Sequence, residues 1–187
     1  MHITITGKLG SGKSTICKLL SARYGFPLYS TGAIQREIAH THNISTLEMN
    51  NLMAKDLSFD HAIDDAVRRI SIERESETII FDSRMAWHFA VNSFRVFVDV
   101  DPVVAATRII NDPRGEVEVY SDLEDAKTQL MERAKLEKER FIEIYGVDYS
   151  DRSNYDLVVD STDSPPEALA DLVYEKFVEF SCEPRCD

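Results

Sequence analysis

The 187-residue chain predicts an α/β fold, an open, doubly wound parallel sheet of about five strands with helices between them. Three observations carry that expectation. A glycine-rich loop stands between a β-branched run and a helical run near the amino terminus. Further short apolar runs recur along the chain, as buried parallel strands require. Helix-start signals fall between those runs, so strands and helices alternate.

The first element is His2-Ile3-Thr4-Ile5-Thr6, a short strand. Gly7-Lys8-Leu9-Gly10-Ser11-Gly12-Lys13-Ser14-Thr15 follows, and Ile16-Cys17-Lys18-Leu19-Leu20 continues as a helix. This is the G-x-x-x-x-G-K-[ST] phosphate loop in its strand–loop–helix setting. Glycines let several backbone N–H groups converge on one anion, and the helix adds the positive end of its dipole. The spacing predicts that Gly7, Gly10, Ser11, Gly12, Lys13, Ser14 and Thr15 hold ATP, with Lys13 on the β- and γ-phosphates and Ser14 on Mg²⁺.

The second strand, Phe26-Pro27-Leu28-Tyr29, is short. The next stretch, about 31–73, is long for one crossover and predicts a small helical cap beside the sheet. Three apolar runs complete the sheet: Thr78–Phe81, Phe94–Val98 and Tyr155–Val159. Ser45 with Glu48, Ser121 with Glu124 and Ser164 with Glu167 read as capping boxes. Asp101-Pro102 pairs an N-cap with proline at N1. A short segment, about 109–121, reads as a lid joining two helices. Nothing resembles a linker or a repeat, so residues 1–187 read as one domain.

Composition narrows the partners. A net charge of −12 argues against a general nucleic-acid-binding surface, so an anionic substrate must meet locally clustered arginines. Cys17, Cys182 and Cys186 form no disulfide framework. No apolar run has membrane length, and a strand beginning at about residue 3 leaves no room for a leader. These features predict a cytoplasmic protein without a membrane partner, expected to be a monomer.

In this architecture ligands lie at the carboxyl ends of strands. Ser30 follows the second strand and opens a helix carrying Arg36, while Asp82-Ser83-Arg84 ends the third. Asp82 is placed to orient Mg²⁺ through water, or else to cap a turn. Arg36 and Arg84 read as phosphate ligands or as solvated surface arginines. At 100° per residue, Glu137 falls inside the apolar stripe of the helix from Ser121 to about Tyr145, with Leu130 and Ile144 about 20° to either side. Arg133 and Arg140 lie about 40° and 60° from it. A carboxylate buried there must be paired. Either the three form an Arg133–Glu137–Arg140 ladder at i,i+4 and i,i+3 spacing, or the helix walls a substrate pocket. In the second case the arginines hold phosphates and Glu137 accepts from an exocyclic amine. Arg114, in Asn111-Asp112-Pro113-Arg114-Gly115, is either a lid arginine over the transferring group or part of an ordinary exposed loop.

Together these segments resemble the cytidylate kinases, in particular the short, archaeal-type branch of the P-loop nucleoside monophosphate kinases. The likeness rests on Ile3–Thr15, Tyr29-Ser30-Thr31-Gly32-Ala33-Ile34 with Arg36, Ser83-Arg84-Met85-Ala86, Arg108-Ile109, Arg133/Glu137/Arg140-Phe141, Ile144–Asp148 and Tyr155–Asp160. It implies an acceptor-binding cap, a lid, and phosphoryl transfer from ATP to CMP or dCMP with Mg²⁺. Arg36 and Arg84 match positions that grip the acceptor phosphate. Arg133 and Arg140 match arginines on the phosphates, and with Lys13 and Arg114 they form the implied catalytic set. Glu137 matches an acidic position that recognises cytosine, and Ser30 a hydroxyl beside the acceptor. The metal-orienting role of Asp82 comes from its strand-end position, because the family more usually ends that strand in Gly-Arg. Two other readings stay open: a P-loop kinase for another small acceptor, with Asp82 as base toward an alcohol, and a nucleotide-binding regulator without turnover.

Overall fold

The computed structural model describes residues 1–32, 39, 44–53, 55–56, 58–111 and 120–182. Five strands, β1 (His2–Gly7), β2 (Leu28–Ser30), β3 (Ile80–Asp82), β4 (Ser93–Asp99) and β5 (Leu157–Asp160), form one sheet in the order β2-β3-β1-β4-β5. Every neighbouring pair is parallel, so the expected sheet is borne out. Among the described residues the helices are α1 (Lys13–Tyr24), α2 (Thr46–Met53), α3 (Ser58–Glu73), α4 (Ala86–Phe89), α5 (Pro102–Asn111), α6 (Leu123–Tyr145) and α7 (Pro166–Cys182).

Strand β1 is central and buried along its whole length, although its residues alternate polar and apolar as those of a half-exposed strand would. Ile3 and Ile5 pack with Ile16 and Leu20 of α1 and Val173 and Phe177 of α7. The opposite side holds Phe97 with Met85, Trp87, Phe141, Tyr149 and Tyr155. The intervening polar residues of β1 are equally buried and each finds an acceptor. Thr6 Oγ1 donates to the carbonyls of Ser83 and Arg84 at 3.0 and 3.2 Å, fixing the turn after β3 against β1. His2 reaches the Ser71 carbonyl at 2.9 Å and ties the sheet to α3.

Parallel register brings the chemistry to one edge. Asp82 pairs with Ile5 of β1 on one side and with Ser30 of β2 on the other, so these strands end level beside the phosphate loop. Two glycines are required there. A side chain on Gly7 would run into the Val98 carbonyl of β4. Gly10 has φ +75°, and a Cβ there would meet Ala105 of α5 at 2.8 Å. Helix α1 therefore starts at Lys13, earlier than the apolar periodicity suggests.

Around this sheet, Ser45 and Glu48 form the expected reciprocal box at 2.7 and 3.1 Å. Asp101 Oδ1 accepts from the N–H groups of Val103 and Val104 at 2.8 and 3.2 Å. The box expected at Ser121 and Glu124 is displaced by one residue. Asp122 caps α6 by accepting from Asp125 N at 2.9 Å, while Asp125 accepts from Ser121 N at 2.8 Å. Carboxylates prevail there because both can accept at the positive end of the helix. In the stretch expected to form a cap, Ala39, Met49 and Met53 make a small separate core with Ile44 and Ile63. The expected lid falls largely on residues 112–119, which with Arg114 lie outside the described residues, as does Arg36.

Candidate active site

Lys13 and Ser14 open α1, directly after the loop, and face the end of β3. Lys13 Nζ donates to Asp82 Oδ1. Ser14 Oγ and Ser30 Oγ donate to Asp82 Oδ2 at 2.8 and 3.1 Å. Burial alone would push the Asp82 carboxyl upward. The Lys13 charge and the three hydrogen bonds outweigh it and hold the group at about 2. Burial also lowers the Lys13 ammonium, opposed by the Asp82 charge.

A second charged group faces the same cleft. Arg84, two residues beyond β3, donates through Nε to Glu137 Oε2 at 2.8 Å and through Nη1 to the Gly7 carbonyl of the phosphate loop. Its guanidinium carbon lies 5.8 Å from the Tyr149 ring centre. From α6, Arg133 Nε donates to the other oxygen of Glu137, Oε1, at 3.1 Å. Glu137 is 3% exposed. Burial raises its carboxyl, but the charges of Arg84 and Arg133 prevail and hold it at about 2. Lys13, Thr31, Asp82, Arg84, Arg133 and Glu137 thus line one cleft with the loop glycines.

The structure does not bring Arg140 to that cleft. Its guanidinium lies 3.0 Å from Asp60 Oδ2 of α3, both side chains almost fully buried. One turn along α3, Asp64 Oδ2 accepts from Tyr145 Oη at 2.6 Å. Burial pushes the Asp60 carboxyl up to about 6 against the pull of Arg140. It pushes Asp64 to about 7, with Tyr145 opposing. The helical-wheel angle that grouped Arg133 with Arg140 is correct in direction, but α6 contacts two different neighbours over that arc. Of the ladder expected on α6, the Arg133–Glu137 rung forms and the Arg140 rung does not; Arg84 from another segment takes the second oxygen, giving Arg84–Glu137–Arg133.

Sequence reasoning also missed the cavity on the far side of the loop. There Arg108 of α5 donates to the carbonyls of Ser161 and Thr162 at 2.6 and 3.2 Å. Gly10, Thr15, Arg108, Ser161, Pro166 and Leu169 are among its walls. No spacing in the sequence links α5 to the turn after β5; only the β4–β5 register does so.

Sheet order, phosphate loop and paired charge clusters define a phosphate-loop α/β domain of the kinase type. Residues 2–163 match the model of the cytidylate kinase-like family, and the chain belongs to that family. A protein from Methanosarcina barkeri named cytidylate kinase is 37% identical over 164 residues, covering 86% of this chain and 87% of its own. Its namesake from Thermoplasma acidophilum is 31% identical over 185 residues, covering 97% and 94%. Among solved structures, a shikimate kinase from Bacteroides thetaiotaomicron superposes with a TM-score of 0.61 at 14% identity, over 96% of this chain and 98% of its own. The last likeness concerns the fold alone.

Proposed function

We propose that this chain transfers the terminal phosphoryl group of ATP to the phosphate of a nucleoside monophosphate, CMP or dCMP, giving ADP and CDP or dCDP. The observation that carries the reading is one cleft with two anion-seeking halves: the phosphate loop with Lys13, and a wall of two arginines from separate segments. An acceptor phosphate oxygen attacks the γ-phosphorus, the bond to the ADP oxygen breaks, and the leaving charge stays on ADP. A phosphate monoester is largely dianionic at neutral pH, its second pKa being about 6, so no base is needed. Positioning and charge neutralisation by Lys13, Arg84 and Arg133 supply the catalysis.

The donor set fits a magnesium ion. A fully ionised carboxylate, Asp82, and a hydroxyl, Ser14, lie within 2.8 Å of each other beside the loop. Ser14 would hold the ion and Asp82 orient it through water; when bound, Mg²⁺ neutralises charge on the transferring phosphates. The cavity walled by Arg108 and Ser161 suits the base of the donor nucleotide. Arg36 and Arg114, placed by their motifs alone, complete the acceptor grip and the lid. In this reading the chain is a single domain, with an acceptor-binding region about 31–73 and a lid about 109–121. It works as a cytoplasmic monomer, and its charge of −12 disfavours a nucleic-acid partner.

An alcohol acceptor, as the shikimate kinase fold could suggest, needs a base near its hydroxyl. Asp82, held at about 2 with both oxygens engaged, is a poor one. A coupled ADP-release assay with CMP, dCMP, UMP, AMP and shikimate tests the reading. Turnover is expected with CMP and dCMP and none with shikimate. ADP release that is indifferent to added acceptor, or that appears only with the alcohol, overturns it.

A further inference from the structure

Glu137 matches a position expected to read the base, yet both its oxygens are already engaged by guanidinium Nε groups. These hydrogen bonds come from different segments, the turn after β3 and helix α6. Arg84 is held on two further sides, by the Gly7 carbonyl and by the Tyr149 ring. Its guanidinium has five N–H groups, and among the described residues one at Nε and one at Nη1 are taken. The other three N–H groups remain for an anion in the cleft that this side chain lines.

Without a carboxylate between them, two guanidiniums on one buried wall would repel and separate. A single phosphate could then no longer meet both without first drawing them together, a cost borne at each binding event. With the carboxylate, the pair stands assembled before any ligand arrives. We infer that Glu137 is a positioning residue, which sets Arg84 and Arg133 as a ready-made clamp for the acceptor phosphate and leaves recognition of the base to other groups. The inference rests on the proposed nucleotide-kinase reading for its substrate but not for its geometry.

The test compares Glu137→Gln with the unaltered chain, using CMP, UMP and ribose 5-phosphate, a phosphomonoester without a base. Glutamine keeps the shape but offers one acceptor oxygen and turns an N–H₂ toward the second guanidinium. The acceptor KM is expected to rise by about 10-fold or more. It should rise by the same factor for CMP and UMP, with the KM for ATP little changed. The Kd of ribose 5-phosphate, measured by calorimetry, should weaken in parallel. A change in the CMP-to-UMP ratio of kcat/KM makes Glu137 a reader of the base and overturns the inference. A uniform fall in KM makes it a competitor of the phosphate and does the same, as does no change. Glu137→Asp, which keeps the charge, should restore most of the affinity and likewise leave the CMP-to-UMP ratio alone. It supplies that readout if the glutamine variant folds poorly. If the unaltered chain phosphorylates no nucleotide, the functional reading fails while the ribose 5-phosphate affinities still decide the role of Glu137.

Discussion

Lys13 and Arg84 both meet buried carboxylates in one cleft, but they serve different halves of it. Lys13 leaves the loop at the start of α1 and bonds Asp82, whose other oxygen is taken by Ser14 and Ser30. Arg84 instead bonds Glu137 on α6. Lys13→Ala is expected to remove transfer, lowering kcat by roughly 10²–10³-fold, because the loop's other lysine, Lys8, is paired with Asp99 at 2.7 Å rather than with Asp82. It should also weaken ATP binding. Arg84→Ala should mainly raise the acceptor KM and leave the Kd of ATP within about 2-fold, as read by calorimetry. Equal loss of ATP affinity in the two variants would contradict this division. Arg84→Ala also strips Glu137 of one of its two partners; Arg133 still faces the carboxylate, so the cost stays below the roughly 3–5 kcal/mol of a wholly unpaired buried charge, and the melting temperature should fall modestly.

At the scale of elements, α3 meets α6 through buried polar groups, Asp60 beside Arg140 and Asp64 accepting from Tyr145. Both carboxyls sit above their ordinary value, at about 6 and about 7, with burial as the leading cause. A carboxyl raised on folding binds its proton more tightly in the folded state. Its contribution to stability is therefore full below about pH 4 and is lost as pH rises toward 7. Docking of α3 should loosen by at most about 1.4 kcal/mol for each pH unit and each proton released. Hydrogen exchange of α3 amides, corrected for intrinsic rates, is expected to show less protection at pH 7.5 than at pH 5.5. Asp64→Asn, which keeps an oxygen for Tyr145, should remove much of that difference. A pH slope unchanged in the variant would assign it elsewhere. The same contacts mark where the sequence was legible and where it was not. Strands announced themselves as short runs rich in β-branched and aromatic residues set between turn and helix-start signals, and Glu137 stood out as a carboxylate inside an apolar stripe. The partners of α6 did not. Arg133 and Arg140 differ by only 20° or so around Glu137, and what separates them is Asp60, an acid that looks like any other on an amphipathic helix. At Ser121, Asp122 beside it was an equally good cap, and local pattern could not choose.

For the whole molecule, the conflict lies between a net charge of −12 and a cleft built for phosphates. The fold resolves it in space, since the carboxyl ends of parallel β1 and β3 deliver Lys13 and Arg84 to one edge, where helix α6 adds Arg133. The attraction is short-ranged and partly desolvated; the repulsion is long-ranged and carried through water. Salt acts on the two unequally. The Debye length falls from about 30 Å at 0.01 M to about 8 Å at 0.15 M, which removes distant repulsion before it weakens contacts inside the cleft. Most sites that bind anions lose association rate as salt is added. Here the association rate of CMP, followed by stopped flow over that range, is expected to hold or rise, with weakening confined to the dissociation rate. A steep fall in the association rate would mean that the arginine wall projects an attractive field beyond the cleft, and that the acidic surface is irrelevant to encounter. Where the rate instead holds or rises, neutralising acids far from the cleft, such as Glu175 and Glu179 of α7, should speed association only at low salt, because what they remove is the screened part of the field.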